Sequence, residues 1–446
     1  MGGRGLVIAA PGSGSGKTTV TLGLLSAWRQ AGVNIAAAKV GPDYIDPGFH
    51  AAASGRDCIN LDPWAMRAST VAWLATQLSE CCDLIVCEGV MGLYDGIDPA
   101  GTASTAALAA ALGWPVVLVV DAAGLAASAA ALVHGFANPP ASLAASGLAI
   151  AGVIFNRVGS SRHLELLRAA VQRAAPELRV FGGLPRTETV ALPERHLGLI
   201  PAGEQPELET LIEKAGHLIE THLDLDGLRD CARAAAVSAP LIPGSAMAPL
   251  GQRIAVARDD AFAFAYPWML EGWSTAGATL SVFSPLADEA PAPDADAVFL
   301  PGGYPELHAG RLAANRRFLD GLRAAAQRGA VVYGECGGYM ALGRGLLDAA
   351  GQRHALAGLL PLETSFAERR LHLGYRETNL AGDGPLGRSG ARHRGHEFHY
   401  ATVVVEGAAP PLFAVADSGG HQLATAGRRS GNVMGSFIHL IDHANV

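Results

Sequence analysis

Short β-rich runs alternate with Ala/Leu-rich helical stretches through the first half of the chain. Runs at 5–10, 34–40, 83–88, 115–121, 149–156 and 179–182 predict strands, and stretches at 18–31, 70–80 and 161–175 predict helices between them. Such alternation predicts a parallel sheet covered on both faces. Residues 234–251 (AAAVSAPLIPGSAMAPLG) are small, Pro/Gly-rich and uncharged, the composition of an interdomain linker. A second α/β pattern follows, with runs at 253–257, 279–283, 297–300 and 330–333 and a final one at 431–438. The expected division is a domain at 1–235, a linker at 236–250 and a domain at 251–446.

Length and charge narrow the classes. A chain of 446 residues, half of them hydrophobic, is too long for one core. The net charge of −8 argues against a nucleic-acid partner. An anionic substrate would need a local basic pocket, because the global field repels it. The apolar run at 5–10 leads straight into glycines and reads as a buried strand, not a leader. The longest apolar region, 105–120, is interrupted by Gly113 and Pro115, stopped by Asp121 and too short to span a bilayer, so the expected address is the cytoplasm. The six cysteines form no CxxC pair and are expected to be reduced thiols. Only three residues are lysine, Lys17, Lys39 and Lys214, which fits a GC-rich genome. Two of the three lie in motif-like segments, where a compact ammonium is not replaceable by a guanidinium.

The segment 9–19, AAPGSGSGKTT, follows a predicted strand and opens a predicted helix. Glycines there let backbone N–H groups turn toward phosphate oxygens, and the helix start adds a favourable dipole. Gly12, Gly14, Ser15, Gly16, Lys17, Thr18 and Thr19 are thus candidate ATP-binding residues, with Lys17 on the β/γ-phosphates and the Thr18 hydroxyl on Mg²⁺. Pro11 stands where the strict motif has glycine. KVGPDYIDP at 39–47 places Lys39 at a strand's carboxyl end, where α/β sheets bind ligands. Lys39 could neutralise charge on a transferred phosphoryl group, and Asp43 and Asp46 could hold Mg²⁺ or orient substrate; a polar capping turn is the plain alternative. Glu88 closes the strand of DLIVCEGVMGLYDG as a candidate metal ligand or water-positioning residue, with Asp95 in the loop beyond, where a plain turn former is the alternative. Asn156 ends another strand, where its amide could read an adenine edge.

In the second half, GECGG at 334–338 follows a strand and suits a strained strand-to-helix elbow that exposes Cys336. A helix start is expected to lower the thiol pKa. His439 is the candidate base and then acid toward ammonia. The amides of Gly303, in PGGYPE, and Gly337 are candidate oxyanion donors. A buried structural cysteine and a core histidine are the plain alternative. The Arg/His-rich segment 366–400 is either a solvated basic face or a cationic wall for a polycarboxylate.

Taken in order, SGSGKTT, KVGPDYIDP, EGVMGLYDG, PGGYPE, GECGGYMALG and GHEFHY cover nearly the whole chain. Together they resemble the cobyrinate or hydrogenobyrinate a,c-diamide synthases of corrinoid biosynthesis. The N-terminal half is also similar to dethiobiotin synthetase, and the C-terminal half to a class I, triad-type glutamine amidotransferase. The resemblance implies an α/β fold of two doubly wound domains: a P-loop NTPase-like parallel sheet, then a flavodoxin-like amidotransferase sheet. It implies ATP, Mg²⁺, glutamine as nitrogen donor, and a tetrapyrrole polycarboxylate substrate amidated on its a and c acetates through acyl phosphates. It implies neither nucleic acid nor membrane as partner and leaves room for a homodimer. Positions matching Asp43, Tyr44, Ile45, Glu88 and Asp95 are expected to handle substrate or intermediate, Lys39 to stabilise phosphoryl transfer and Asn156 to read adenine. Triad enzymes carry Glu two residues after the histidine. Here Ile441 stands there, with Asp442 one residue off, so a Cys–His dyad is expected. Cobyric acid synthase and nickel-sirohydrochlorin diamide synthase are the near alternatives, and a ParA-like ATPase switch the distant one. The arginine bias leans toward cobalt-free hydrogenobyrinate.

Overall fold

The computed structural model describes residues 2–139, 141, 147–187, 190, 194–195, 198–199, 202–237 and 247–444. Most of the expected linker therefore lies outside the described residues. The chain forms two compact units, one of Met1–Trp64 with Ala68–Pro243, the other of Gly244–Val446 with Ala65–Arg67. Among the described residues no helix is long and apolar enough to cross a membrane.

The first unit is the parallel sheet that the alternating pattern predicts. Its strands run in the order Ile59–Leu61, Ile35–Val40, Leu84–Glu88, Arg4–Ala9, Val116–Asp121, Ile150–Val158 and Arg179–Pro185, each parallel to its neighbour. Arg233–Ala234 adds a short antiparallel pairing to Arg4–Ala9. The inner strands are buried along their length, as their unbroken apolar runs require. Helices Lys17–Gln30 and Leu208–His222 place Leu22, Leu25, Ile212 and Ile219 in the core on one side of it. Because all these strands point the same way, their carboxyl ends share one edge. In-register pairing sets Lys39 beside Glu88, and Asp121 beside Asn156, at that edge.

The second unit is α/β as expected, but its sheet is mixed. Thr279–Phe283, Arg253–Ala257, Ala297–Leu300, Val331–Glu335 and Val433–Ser436 are parallel, the doubly wound half. The sheet then continues antiparallel through Ala426–Ser430, Pro411–Asp417, His372–Leu380, Arg392–His399 and Ile438–His443. These strands were not legible as apolar runs because several carry Arg, His and Glu on a solvated or ion-paired face. The final run expected at 431–438 is two strands. Val433–Ser436 pairs with Val331–Glu335, the chain turns at Phe437, and Ile438–His443 pairs with Arg392–His399. A separate four-stranded sheet holds Arg353–Ala355, Gly345–Leu347, Leu362–Ser365 and Thr402–Glu406.

Candidate active sites

At the strand edge of the first unit, charge is buried and paired. Glu88 is 1% exposed and its Oε1 accepts from the Thr18 hydroxyl at 2.9 Å and the Lys39 ammonium at 2.9 Å. Its Oε2 lies 2.7 Å from His50 Nε2. Lys39 also donates to Asp46 Oδ2 at 2.6 Å. Burial disfavours the Lys39 charge, yet the carboxylates of Glu88, Asp46 and Asp43 raise its pKa above the ordinary lysine value. Burial likewise opposes the Glu88 charge, and Lys39 and His50 overcome it, holding the carboxyl well below its usual range. The group is an ionised, hydrogen-bonded cluster.

The phosphate loop packs against this cluster. Lys17 is buried and donates to the carbonyls of Met91 at 2.8 Å and Gly12 at 3.4 Å. Ser15 Oγ donates to the Gly12 carbonyl, and Thr19 lies in the first turn of the helix Lys17–Gln30. Asn156 Nδ2 donates to the Ser15 carbonyl at 2.9 Å, and Arg157 to the Gly14 carbonyl at 3.1 Å, so this strand end braces the loop itself.

Two of the other predicted substrate residues, Asp43 and Asp95, hydrogen-bond to nearby backbone. Asp43 Oδ1 accepts from the amides of Ile45 at 2.7 Å and Asp46 at 3.3 Å, closing the turn that leads into the helix Asp46–Ser54. Burial, then the neighbouring Asp46, raises its pKa to about 6. No described contact brings Asp43 to Thr18 or Glu88, so of the expected metal set only Thr18 and Glu88 meet. Asp95 is exposed and its Oδ2 accepts from Gly92 N at 2.8 Å, stapling the loop after Glu88. Tyr44 and Ile45 are half-buried in the turn before the same helix. His50 was missed by sequence reasoning. Its only signal is spacing, four residues after Asp46 on one helix, which puts both on the same face.

In the second unit Cys336 sits at a strained elbow, φ 47° and ψ −105°, between the strand Val331–Glu335 and the helix Gly337–Leu342. The glycines after it are needed for close approach: a Cβ on Gly338 would lie 1.9 Å from the Leu300 carbonyl oxygen. A Cβ on Gly302 would lie 2.3 Å from His439 Cε1, 3.0 Å from His439 Nε2 and 3.2 Å from Cys336 Cβ. Bare backbone at Gly302 is thus what allows Cys336 and His439 to come together. The oxyanion candidates also converge, since a Cβ on Gly337 would lie 3.0 Å from Gly303 N.

The expected lowering of the thiol pKa is not found. Burial pushes Cys336 up to about 12, and Glu306 adds to the rise, more than offsetting the hydrogen bond from the Gly337 amide. A helix of six residues supplies little dipole against that desolvation. Burial, with His396 and His399 nearby, lowers His439 to about 3. The resting pair is a neutral thiol beside a neutral imidazole.

The acids around His439 divide as follows. Ile441 is buried and apolar at the usual Glu position. A bulge makes Leu440 and Ile441 together oppose Gly395, so Asp442, paired with Arg394, returns to the face of His439, paired with His396. Asp442 is nevertheless committed: Oδ1 accepts from Arg67 Nε at 3.0 Å and Oδ2 from Arg67 N at 2.9 Å. Glu397 binds Arg376 Nε at 2.7 Å and His399 Nε2 at 3.0 Å. Glu335 Oε2 lies 3.7 Å from His439 Nδ1. Three of the six arginines in segment 366–400 are ion-paired, Arg376 with Glu397, and Arg392 and Arg394 with Glu377.

Two family models match the chain. Residues 6–200 match the CobQ/CobB/MinD/ParA nucleotide binding domain, and residues 253–445 match the CobB/CobQ-like glutamine amidotransferase domain. The chain is 53% identical to a hydrogenobyrinate a,c-diamide synthase of Brucella anthropi over 98% of both chains. It is 52% identical to proteins of that name from a Sinorhizobium species and from Rhodobacter capsulatus, over 99% of each chain.

Proposed function

The chain belongs to the hydrogenobyrinate a,c-diamide synthase family, and from that premise we propose that it amidates the a and c acetates of cobalt-free hydrogenobyrinate, using ATP and glutamine in cobalamin biosynthesis. The observation that carries the chemistry is the Cys336 elbow, with His439 brought against it over Gly302. Full-length likeness to enzymes of that name supports the substrate.

In the amidotransferase unit, Cys336 Sγ attacks the carboxamide carbon of glutamine while His439 Nε2 takes the thiol proton. The amides of Gly303 and Gly337 donate hydrogen bonds to the developing oxyanion. His439 returns the proton to the leaving ammonia, and water hydrolyses the thioester to glutamate and free thiol. In the nucleotide unit, a substrate carboxylate oxygen attacks the γ-phosphorus of ATP and ADP leaves. Ammonia then attacks the acyl phosphate and inorganic phosphate departs. Lys17 and Lys39 offset charge on the phosphoryl oxygens, and Asn156 steadies the loop that cradles them, beside the base it is expected to read. Thr18 and the ionised Glu88 are adjacent hard oxygen donors and fit Mg²⁺, which when bound would neutralise phosphate charge. The reaction is assigned to the cytoplasm.

Mass spectrometry of products made with ATP and amide-¹⁵N glutamine tests this. Two labelled amides on the cobalt-free macrocycle are expected. Preference for the cobalt-loaded macrocycle would overturn the substrate assignment, and unlabelled amides would overturn the nitrogen source.

A further inference from the structure

We propose that Glu335, the residue immediately before the nucleophile, is the positioning acid of this glutaminase, holding the Nδ1 side of His439 in place of the missing glutamate after the histidine. The inference rests on the Cys336–His439 reading above and deepens it.

The carboxylate is fixed from two sides. Glu335 Oε1 accepts from the Tyr333 hydroxyl at 2.9 Å and from Leu440 N at 3.0 Å. The second donor is the amide that follows His439, so Glu335 is tied to the histidine's own strand. This leaves Oε2 directed at His439 Nδ1, 3.7 Å away, with both side chains almost wholly buried. Resting-state contacts of this kind are often long and shorten once substrate is bound. The competing acids are taken, Asp442 by Arg67 and Glu397 by Arg376 and His399. One residue of spacing thus separates two tasks: Cys336 Cβ and His439 Nε2 both flank the bare backbone of Gly302, while Glu335, one step back, lies 3.7 Å from the other ring nitrogen.

The consequence is a defined pH dependence. Glu335 faces Tyr333 and His439; His439 is also approached by His396, His399 and Glu397 from the strand Arg392–His399; and Glu306 approaches Cys336. Burial raises the Glu335 carboxyl to about 7, against the two hydrogen bonds that lower it. Above that pH the carboxylate can stabilise the imidazolium formed as the thiol loses its proton, and below it a neutral acid cannot. Glutaminase kcat/KM should therefore fall on the acid side through a limb near pH 7.

The test is glutamine hydrolysis and ammonia-supported synthesis by the full-length enzyme across pH. Glu335→Gln keeps an acceptor for Tyr333 and Leu440 and removes only the charge. It should lower glutaminase kcat/KM by about 10²–10³-fold, abolish the limb near 7, and leave ammonia-supported synthesis unchanged. Asp442→Asn should leave both rate and limb as they were. Wild-type kcat/KM and limb in Glu335→Gln, or the loss appearing in Asp442→Asn instead, would overturn the proposal. Should Glu335→Gln not fold, Tyr333→Phe decides: it removes a hydrogen bond that favours the carboxylate, so the limb must move to higher pH, and an unmoved limb refutes Glu335. Cys336→Ala run alongside separates the two levels. If it still hydrolyses glutamine, the glutaminase reading itself fails; if it is inactive, only Glu335 is at stake.

Discussion

The two candidate sites solve the burial of ionisable groups in opposite ways. At the strand edge of the nucleotide unit, Lys39, Glu88 and Asp46 stay charged because each finds an opposite charge within 2.9 Å. At the elbow of the amidotransferase unit, Cys336 and His439 are equally buried but neutral, their pKa values driven apart to about 12 and about 3. Desolvation is comparable, so partners decide. Under the proposed function, the first site holds its charges ready for phosphate and metal, each kept ionised by a protein partner. The second would form its thiolate only during attack, and so carries no standing charge. The first arrangement is fragile toward removal of a partner, while the second is fragile toward loss of the reacting atom itself.

The largest expected effect comes from Cys336→Ala. Glutamine-dependent synthesis should fall by about 10⁴-fold or more, the scale of losing a nucleophile, while ammonium-supported synthesis continues. Equal loss with both nitrogen sources, measured by product formation, would break the separation of the two sites. Next is Lys39→Met, which leaves Glu88 buried with Thr18 and His50 only. Synthesis with either donor should drop by about 10²–10³-fold, and urea unfolding should show a stability loss of about 3–5 kcal/mol. Retained stability would mean that the buried charges do not depend on one another. Asp442→Asn is the smallest. It weakens the contact to Arg67 and should cost about 1–2 kcal/mol in thermal or urea denaturation, with unchanged glutamine hydrolysis. A catalytic loss there would return the acid to the strand of His439.

Much of this was readable from residue order. Six strands of the first unit appear where apolar runs stand, because a parallel sheet buries both faces, while the short Ile59–Leu61 and Arg233–Ala234 left no run to read. Gly334, Gly337 and Gly338 around Cys336 marked the elbow, because close backbone approach leaves no room for a side chain. Other features had no local signal. His372–Leu380 and Arg392–His399 read as a solvated basic face or a cationic wall, yet they are central strands of the antiparallel half of the second sheet, with Arg376, Arg392 and Arg394 paired to Glu397 and Glu377. The bulge at Leu440 and Ile441 inverts the facing of Asp442, which strand alternation from His439 alone mispredicts.

By itself the sequence determined the order of the two α/β halves, the phosphate loop with its strand-end Lys39 and Glu88, and the glycine-flanked position of Cys336 that marks it as the candidate nucleophile. Each of these is written in contiguous residues, where propensity, glycine placement and apolar period act over one or two turns. Tertiary structure alone decided which charges meet and which stay neutral: His50 on Glu88, Arg67 on Asp442, Glu335 beside His439. Those outcomes depend on strand register and on burial among residues far apart in the chain, and neither quantity is carried by any short stretch of it.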